Sequence, residues 1–166
     1  MKPISTLAGL VFFLTGVCVA QRLPDIAAPD HYMLIFSPHF TKNDFTGEET
    51  IAMRVKKPTS QIVLNAAEID FQEVSITSGH SVQKATVALD KDKQTAALTV
   101  DHPISPGAAT IQTHYHGILN DQLRGFYLGK DSDGHQYAAT QLWATDARRA
   151  FLASMSPLTK RLSKSP

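Results

Sequence analysis

The sequence predicts an all-β protein, an antiparallel β-sandwich or saddle-shaped double sheet. Three observations carry that expectation. Apolar and polar residues alternate in short runs, the period of a half-buried strand. Turn-forming residues punctuate those runs at spacings of roughly ten residues. Before residue 146, no long stretch after the leader repeats its apolar residues with a helical period.

The leader comes first. Lys2 supplies a positive start, and Leu7 to Val19 is apolar apart from Thr15 and small residues. Cys18-Val19-Ala20 sets small side chains where signal peptidase selects them, so residues 1–20 read as a signal peptide and the mature chain as starting at Gln21. The apolar run is too short for a permanent membrane span. A lipoprotein site would need the cysteine directly after a small residue, and Val17 separates Gly16 from Cys18. Export to the periplasm or exterior is the expectation. Cys18 is the one cysteine, so disulfides, Cys-ligated zinc and a cysteine nucleophile are excluded from the rest.

The strands come next, in chain order. His31 to Phe36 begins the first, with Pro38 expected to close it. Phe45 to Val55 alternates, and Ile62-Val63-Leu64 is a short buried-type run. Ile69 to Thr77 alternates again. Val82 to Leu89 and Thr95 to Val100 flank the hairpin turn Asp90-Lys91-Asp92-Lys93. Ala108 to His116 alternates through Ile111, Thr113 and Tyr115. Phe126 to Leu128 and Gln136 to Ala139 flank Asp131-Ser132-Asp133-Gly134, a second hairpin turn. Residues 22–151 thus form one domain. Read for itself, the segment from Asp146 to Met155 predicts a short helix capped by Thr145, with Ala147, Phe151 and Met155 on one face. Pro157 ends it, and the Ser/Lys/Pro composition beyond favours a disordered terminus.

Candidate chemistry is sparse. A formal charge of +1 gives no field for a phosphate backbone, so nucleic acid is not an expected partner. His114-x-His116 puts two imidazoles on one strand face, a pairing that suits a metal, but further ligands are missing from the pattern. The plain alternative is a solvated face flanking a buried Tyr115. Asp131-x-Asp133-Gly134 lacks the third acid and closing Glu of a calcium loop and reads as turn. Glu48 and Glu49 point to opposite faces by alternation, which defeats an acid pair. There is no G-x-S-x-G. On residue chemistry alone this is a binding or structural β module, such as a stand-alone periplasmic interaction domain.

Motif order adds a resemblance. Leu23-Pro24 with Pro29-x-His31-Tyr32-x-Leu34, then Phe45-x-Gly47 with Ile51, then Ile62-Val63-Leu64-Asn65-Ala66 with Glu68-Ile69, open the series. Gly107 with Ile111, Tyr115-x-Gly117-x-Leu119-Asn120-Asp121 and Gly125-Phe126-Tyr127 continue it. Ala139-Thr140-Gln141 and Thr145-Asp146-Ala147-Arg148-Arg149-Ala150-Phe151 complete it. This series resembles the N-terminal β domain of the aminopeptidase N family of zinc metallopeptidases. The resemblance implies a saddle-shaped β unit preceding a catalytic domain, which carries Gly-x-Met-Glu-Asn and His-Glu-x-x-His motifs. Neither motif occurs in this sequence, so no catalytic residue and no zinc ligand are expected in this chain, and a peptide's N-terminus is a substrate only alongside a catalytic domain.

The resemblance also implies a Gln-x-Glu pair at the end of the domain. The Gln lines the pocket for the substrate's first side chain, and the Glu binds its α-amine by a charge-assisted contact. Gln141 matches the first, whereas Trp143 stands at the position of the Glu. An indole offers an ammonium only a cation–π contact of about 0.5–2 kcal/mol. The plainer expectation is that Trp143 packs against the strand end.

After Phe151 the likeness stops. The family continues Phe-Pro-x-Phe-Asp-Glu-Pro-Ala-x-Lys-Ala-Thr-Phe, whereas residues 152–166 read Leu-Ala-Ser-Met-Ser-Pro-Leu-Thr-Lys-Arg-Leu-Ser-Lys-Ser-Pro. The genetic code offers a reason. Permitted codons for Leu152 to Pro157 are CTG GCT TCG ATG AGC CCG. Read one base earlier, they become CCT GGC TTC GAT GAG CCC, or Pro-Gly-Phe-Asp-Glu-Pro. Permitted codons for Leu158 to Pro166 continue as Ala-Tyr-Lys-Ala-Thr-Phe-Glu-Ile-Thr. The expectation is a one-base deletion, in the gene or its sequencing, at the Phe151/Leu152 junction.

Overall fold

A computed structural model describes residues 23–143 and 145–154; the leader with its cleavage site, and the tail from Met155 onward, lie outside the described residues. Ten strands make up most of the described chain: β1 (Ala27–His39), β2 (Asp44–Val55), β3 (Thr59–Asn65), β4 (Ile69–Ser78), β5 (Ser81–Lys84), β6 (Thr86–Asp90), β7 (Thr95–Ile104), β8 (Gly107–Ile118), β9 (Gly125–Lys130) and β10 (Gln136–Gln141). They pair antiparallel in a five-stranded sheet of order β1-β2-β8-β4-β5, a three-stranded sheet β3-β7-β6 and the hairpin β10-β9.

Alternation along the strands builds the core. Ile51, Met53 and Val55 of β2, Val74 and Ile76 of β4, and Ile111 of β8 are buried in one cluster with Ile62 and Leu64 of β3 and Ala96, Leu98 and Val100 of β7. Their odd-even spacing gives one buried face per strand. A second cluster is aromatic, with Phe45, Tyr115 and Phe126 joined by Ile69, Leu119 and Ala150. Phe45 lies edge-on to Phe36 at 5.6 Å and to Phe126 at 5.0 Å, the T-shaped geometry that ring quadrupoles favour.

Two strand expectations are corrected. Pro38 does not close the first strand; β1 runs on to His39. It is the outermost strand of its sheet, so a proline N without hydrogen can face the unpaired side. The run from Val82 to Leu89 is two strands, because the chain changes sheets at Ala85: β5 pairs with β4, and β6 with β7. Buried Ala85 makes the corner, its N–H donating to the Val74 carbonyl at 2.8 Å.

The expected C-terminal helix is reduced to a 3-10 turn over Ala147–Arg149, with no side-chain cap. Tertiary partners claim the backbone instead. Ala67 N–H donates to the Arg148 carbonyl at 2.8 Å, and Asn65 and Ala153 exchange backbone bonds of 2.8 and 2.9 Å. Met155, expected on the helix face, lies outside the described residues.

Candidate functional site

Two reciprocal glycine–aromatic pairs set the spacing of the site's supporting strands. Across the β2/β8 ladder, Phe45 faces Gly117 and Gly47 faces Tyr115. A Cβ on Gly117 would lie 2.2 Å from Phe45 Cζ, and one on Gly47 would lie 2.3 Å from Tyr115 Cζ. Each ring therefore occupies the space over the opposite glycine. The Phe45-x-Gly47 and Tyr115-x-Gly117 spacings are two halves of one packing device. Tyr115 then reaches past the sheet, its hydroxyl donating to the Ala150 carbonyl at 2.8 Å, which ties β8 to the end of the 3-10 turn.

The β9/β10 hairpin is held to that turn through Gly125. Its φ of +67° favours glycine, and an added Cβ would meet Arg149 Cβ at 2.9 Å. Arg149 is ion-paired with Glu68 at the β3–β4 junction. Gln141 closes the hairpin, paired in register with Gly125. With the Gln141 amide oxygen turned toward the indole, Trp143 Nε1 donates to it at 2.6 Å, and the amide nitrogen donates to the Leu123 carbonyl at 3.2 Å. The expectation that Trp143 packs is corrected: its side chain is 67% exposed, beside Leu142 and close to Leu123, both also exposed. The structure thus brings Gln141 and Trp143 together at an open strand end.

Of the two metal candidates, the histidine pair gathers no further ligands, whereas the Asp131 turn does. His114 and His116 are exposed on the outer face of β8, around buried Tyr115. Cross-strand neighbours of His114 are Glu48 and Glu73, and of His116 Asp70, yet their ligand atoms are not gathered around a common point. Among the described residues the one three-ligand cluster is Asp131, Asp133 and His135. All three are exposed, and the Asp131 carboxylate already accepts from the Asp133 and His135 N–H groups at 2.9 and 2.8 Å. That is an Asx-type turn. For zinc, which the resemblance implies for the family, that exposed turn trio is the one gathered donor set among the described residues.

Sequence reasoning weighed Glu49 only as half of an acid pair and missed its burial. Alternation does send Glu48 outward, but it also sends Glu49 into the interior, where it is 2% exposed. Burial pushes its carboxyl up to about 8, against the lowering effect of the Leu152 N–H, which donates to Oε2 at 3.0 Å. Its Oε1 has no partner, nor has Oγ1 of Thr113, its cross-strand neighbour on β8. Two adjacent glutamates, only one facing inward, were the signal available.

Comparison with known proteins gives the same outline. The Peptidase M1 N-terminal domain family matches residues 28–160, a span that runs nine residues beyond Phe151, where the motif likeness was expected to stop. Aminopeptidase 2 of Candida albicans is 38% identical over 84% of this chain, and Aminopeptidase M1-C of Oryza sativa subsp. japonica is 35% identical over 78%. The puromycin-sensitive aminopeptidase of Caenorhabditis elegans is 31% identical over 84%. The chain spans about 15% of the length of each of these relatives. The all-β fold is in keeping with this match: the chain belongs to the M1 aminopeptidase family, as its N-terminal domain.

Proposed function

We propose that residues 22–151 are the substrate-side module of an exported, zinc-dependent aminopeptidase, and that the 166 residues by themselves bind no zinc and hydrolyse no peptide. The observation that carries this reading is the placement of Gln141 at the open end of β10, held by Gly125 and Leu123. A substrate lying against the strand end would meet this side chain by sharing or displacing its bonds to the Trp143 indole and the Leu123 carbonyl. The leader supports export.

Trp143 alters the inherited site twice. It puts an uncharged ring where a carboxylate would receive an ammonium, and its indole N–H engages the Gln141 amide. Exopeptidase selectivity is weakened as a result. The frame proposal accounts for the sequence beyond Phe151: the catalytic residues belong to the overlapping frame, and a separate catalytic domain is the partner this module requires.

Zinc analysis and hydrolysis of aminoacyl amides by the purified chain test the reading. The expected result is no stoichiometric zinc and no turnover above buffer. Turnover by this chain alone overturns it.

A further inference from the structure

The segment from Ala150 to Ser154 crosses between the sheets as a strap, and four side chains hold it. Tyr115 donates to the Ala150 carbonyl at 2.8 Å; Glu49 Oε2 accepts from Leu152 N–H at 3.0 Å. Asn65 Nδ2 donates to the Ala153 carbonyl at 3.0 Å, and the Tyr32 hydroxyl accepts from Ser154 N–H at 3.1 Å. The strap is seated deeply: Ala150 and Leu152 are fully buried. Of the four holders, only Glu49 is a carboxyl, and only one of its two oxygens is satisfied.

We infer that Glu49 is a proton-operated latch: while it carries a proton the 150–154 strap stays seated, and its ionisation favours release. Solvation sets the direction. A neutral carboxyl needs little from its surroundings beyond the Leu152 N–H. A carboxylate in the same place, supported by that single donor, is costly to keep from water. Among the described residues the titratable groups that face it are the hydroxyls of Tyr32 from β1 and Tyr115 from β8, whose own ionisation is opposed by burial and by the Glu49 charge. Neither supplies a cation. Lifting the strap would expose the carboxyl to water while leaving the β2/β8 ladder intact, so ionisation favours that motion over global unfolding. The contact belongs to the present sequence, since a proline at 152, as in the overlapping frame, would have no N–H to offer.

Backbone amide exchange on the intact chain, followed by NMR from pH 5 to pH 8.5 and corrected for intrinsic rates, tests the latch. Protection at Leu152 and Ala153 is expected to fall by about a hundredfold or more across that range. By pH 8 both should exchange at least tenfold more readily than Ile111, in the centre of β8. Glu49→Gln is expected to remove the pH slope. Should that variant fail to fold, the Glu49 carboxyl carbon is titrated directly in the parent chain. A midpoint in the ordinary carboxylate range overturns the inference, as do strap amides that track Ile111 at every pH.

Discussion

Replacing Gly117 by alanine tests the packing device on which the aromatic cluster depends. The added methyl carbon would sit 2.2 Å from Phe45 Cζ and 2.3 Å from Cε1, where carbon contacts normally lie at about 3.5–4.0 Å. The ring has little room to retreat. Phe45 is fully buried, with Phe126 at 5.0 Å, Phe36 at 5.6 Å and Tyr115 at 6.3 Å from its centroid. Overpacking of this kind costs about 1–3 kcal/mol, against about 0.4–1 kcal/mol gained by stiffening the unfolded chain. The expected net loss is about 1–2 kcal/mol in urea unfolding followed by far-UV circular dichroism. Pairing Gly117→Ala with Phe45→Leu should recover part of it, because the smaller side chain vacates the clash. A coupling of about 1 kcal/mol is expected. A Gly117→Ala variant as stable as the parent, or strict additivity in the double variant, would refute the reasoning.

Glu49 makes stability depend on pH. Its folded carboxyl lies near 8, above the unfolded value of 4.5, so the stability present below about pH 4.5 is lost as pH rises toward 8. The loss is on the order of 4–5 kcal/mol at most. Urea midpoints for Glu49→Gln should show a much flatter profile; an unchanged profile would count against the buried assignment. Asn65→Ala removes the side-chain bond to the Ala153 carbonyl but leaves the two backbone bonds, and is expected to cost about 0.5–1.5 kcal/mol by the same unfolding measurement. Leu123, Leu142 and Trp143 are three exposed large apolar residues, of which Leu123 (by its carbonyl) and Trp143 bond the Gln141 amide. The isolated chain is expected to self-associate through them, and sedimentation should show Trp143→Ser shifted toward monomer with stability changed by no more than about 0.5 kcal/mol.

Strand positions were legible because burial on one face forces a period of two, and β2, β4 and β8 keep it through their buried residues. The sheet change at Ala85 was barely legible. The one local sign is the polar pair Gln83-Lys84, after which the apolar positions move from Val82 to Ala85, Val87 and Leu89; the change of partner strand itself is set by long-range pairing. The helix expected after Thr145 failed for a related reason. Local spacing allowed it, but Asn65, Glu49 and Tyr32 compete for the same backbone from strands distant in sequence. At the candidate site, the positions of Gln141 and Trp143 came from motif order. Their mutual hydrogen bond and the exposure of the indole did not, because both depend on the chain turning away after β10. The inward turn of Glu49 was legible in the Glu48-Glu49 alternation, but its single donor was not, since that is Leu152, a residue far along the chain.

The proposal that reaches furthest is that the peptidase sequence resumes one base away after Phe151, within a family match that itself runs to residue 160. Sequencing the transcript from codon 137 onward tests it most directly. The expected transcript encodes Phe-Asp-Glu-Pro just after codon 151 in the frame beginning one base earlier, and His-Glu-x-x-His further downstream. Absence of Phe-Asp-Glu-Pro from that frame would contradict the claim.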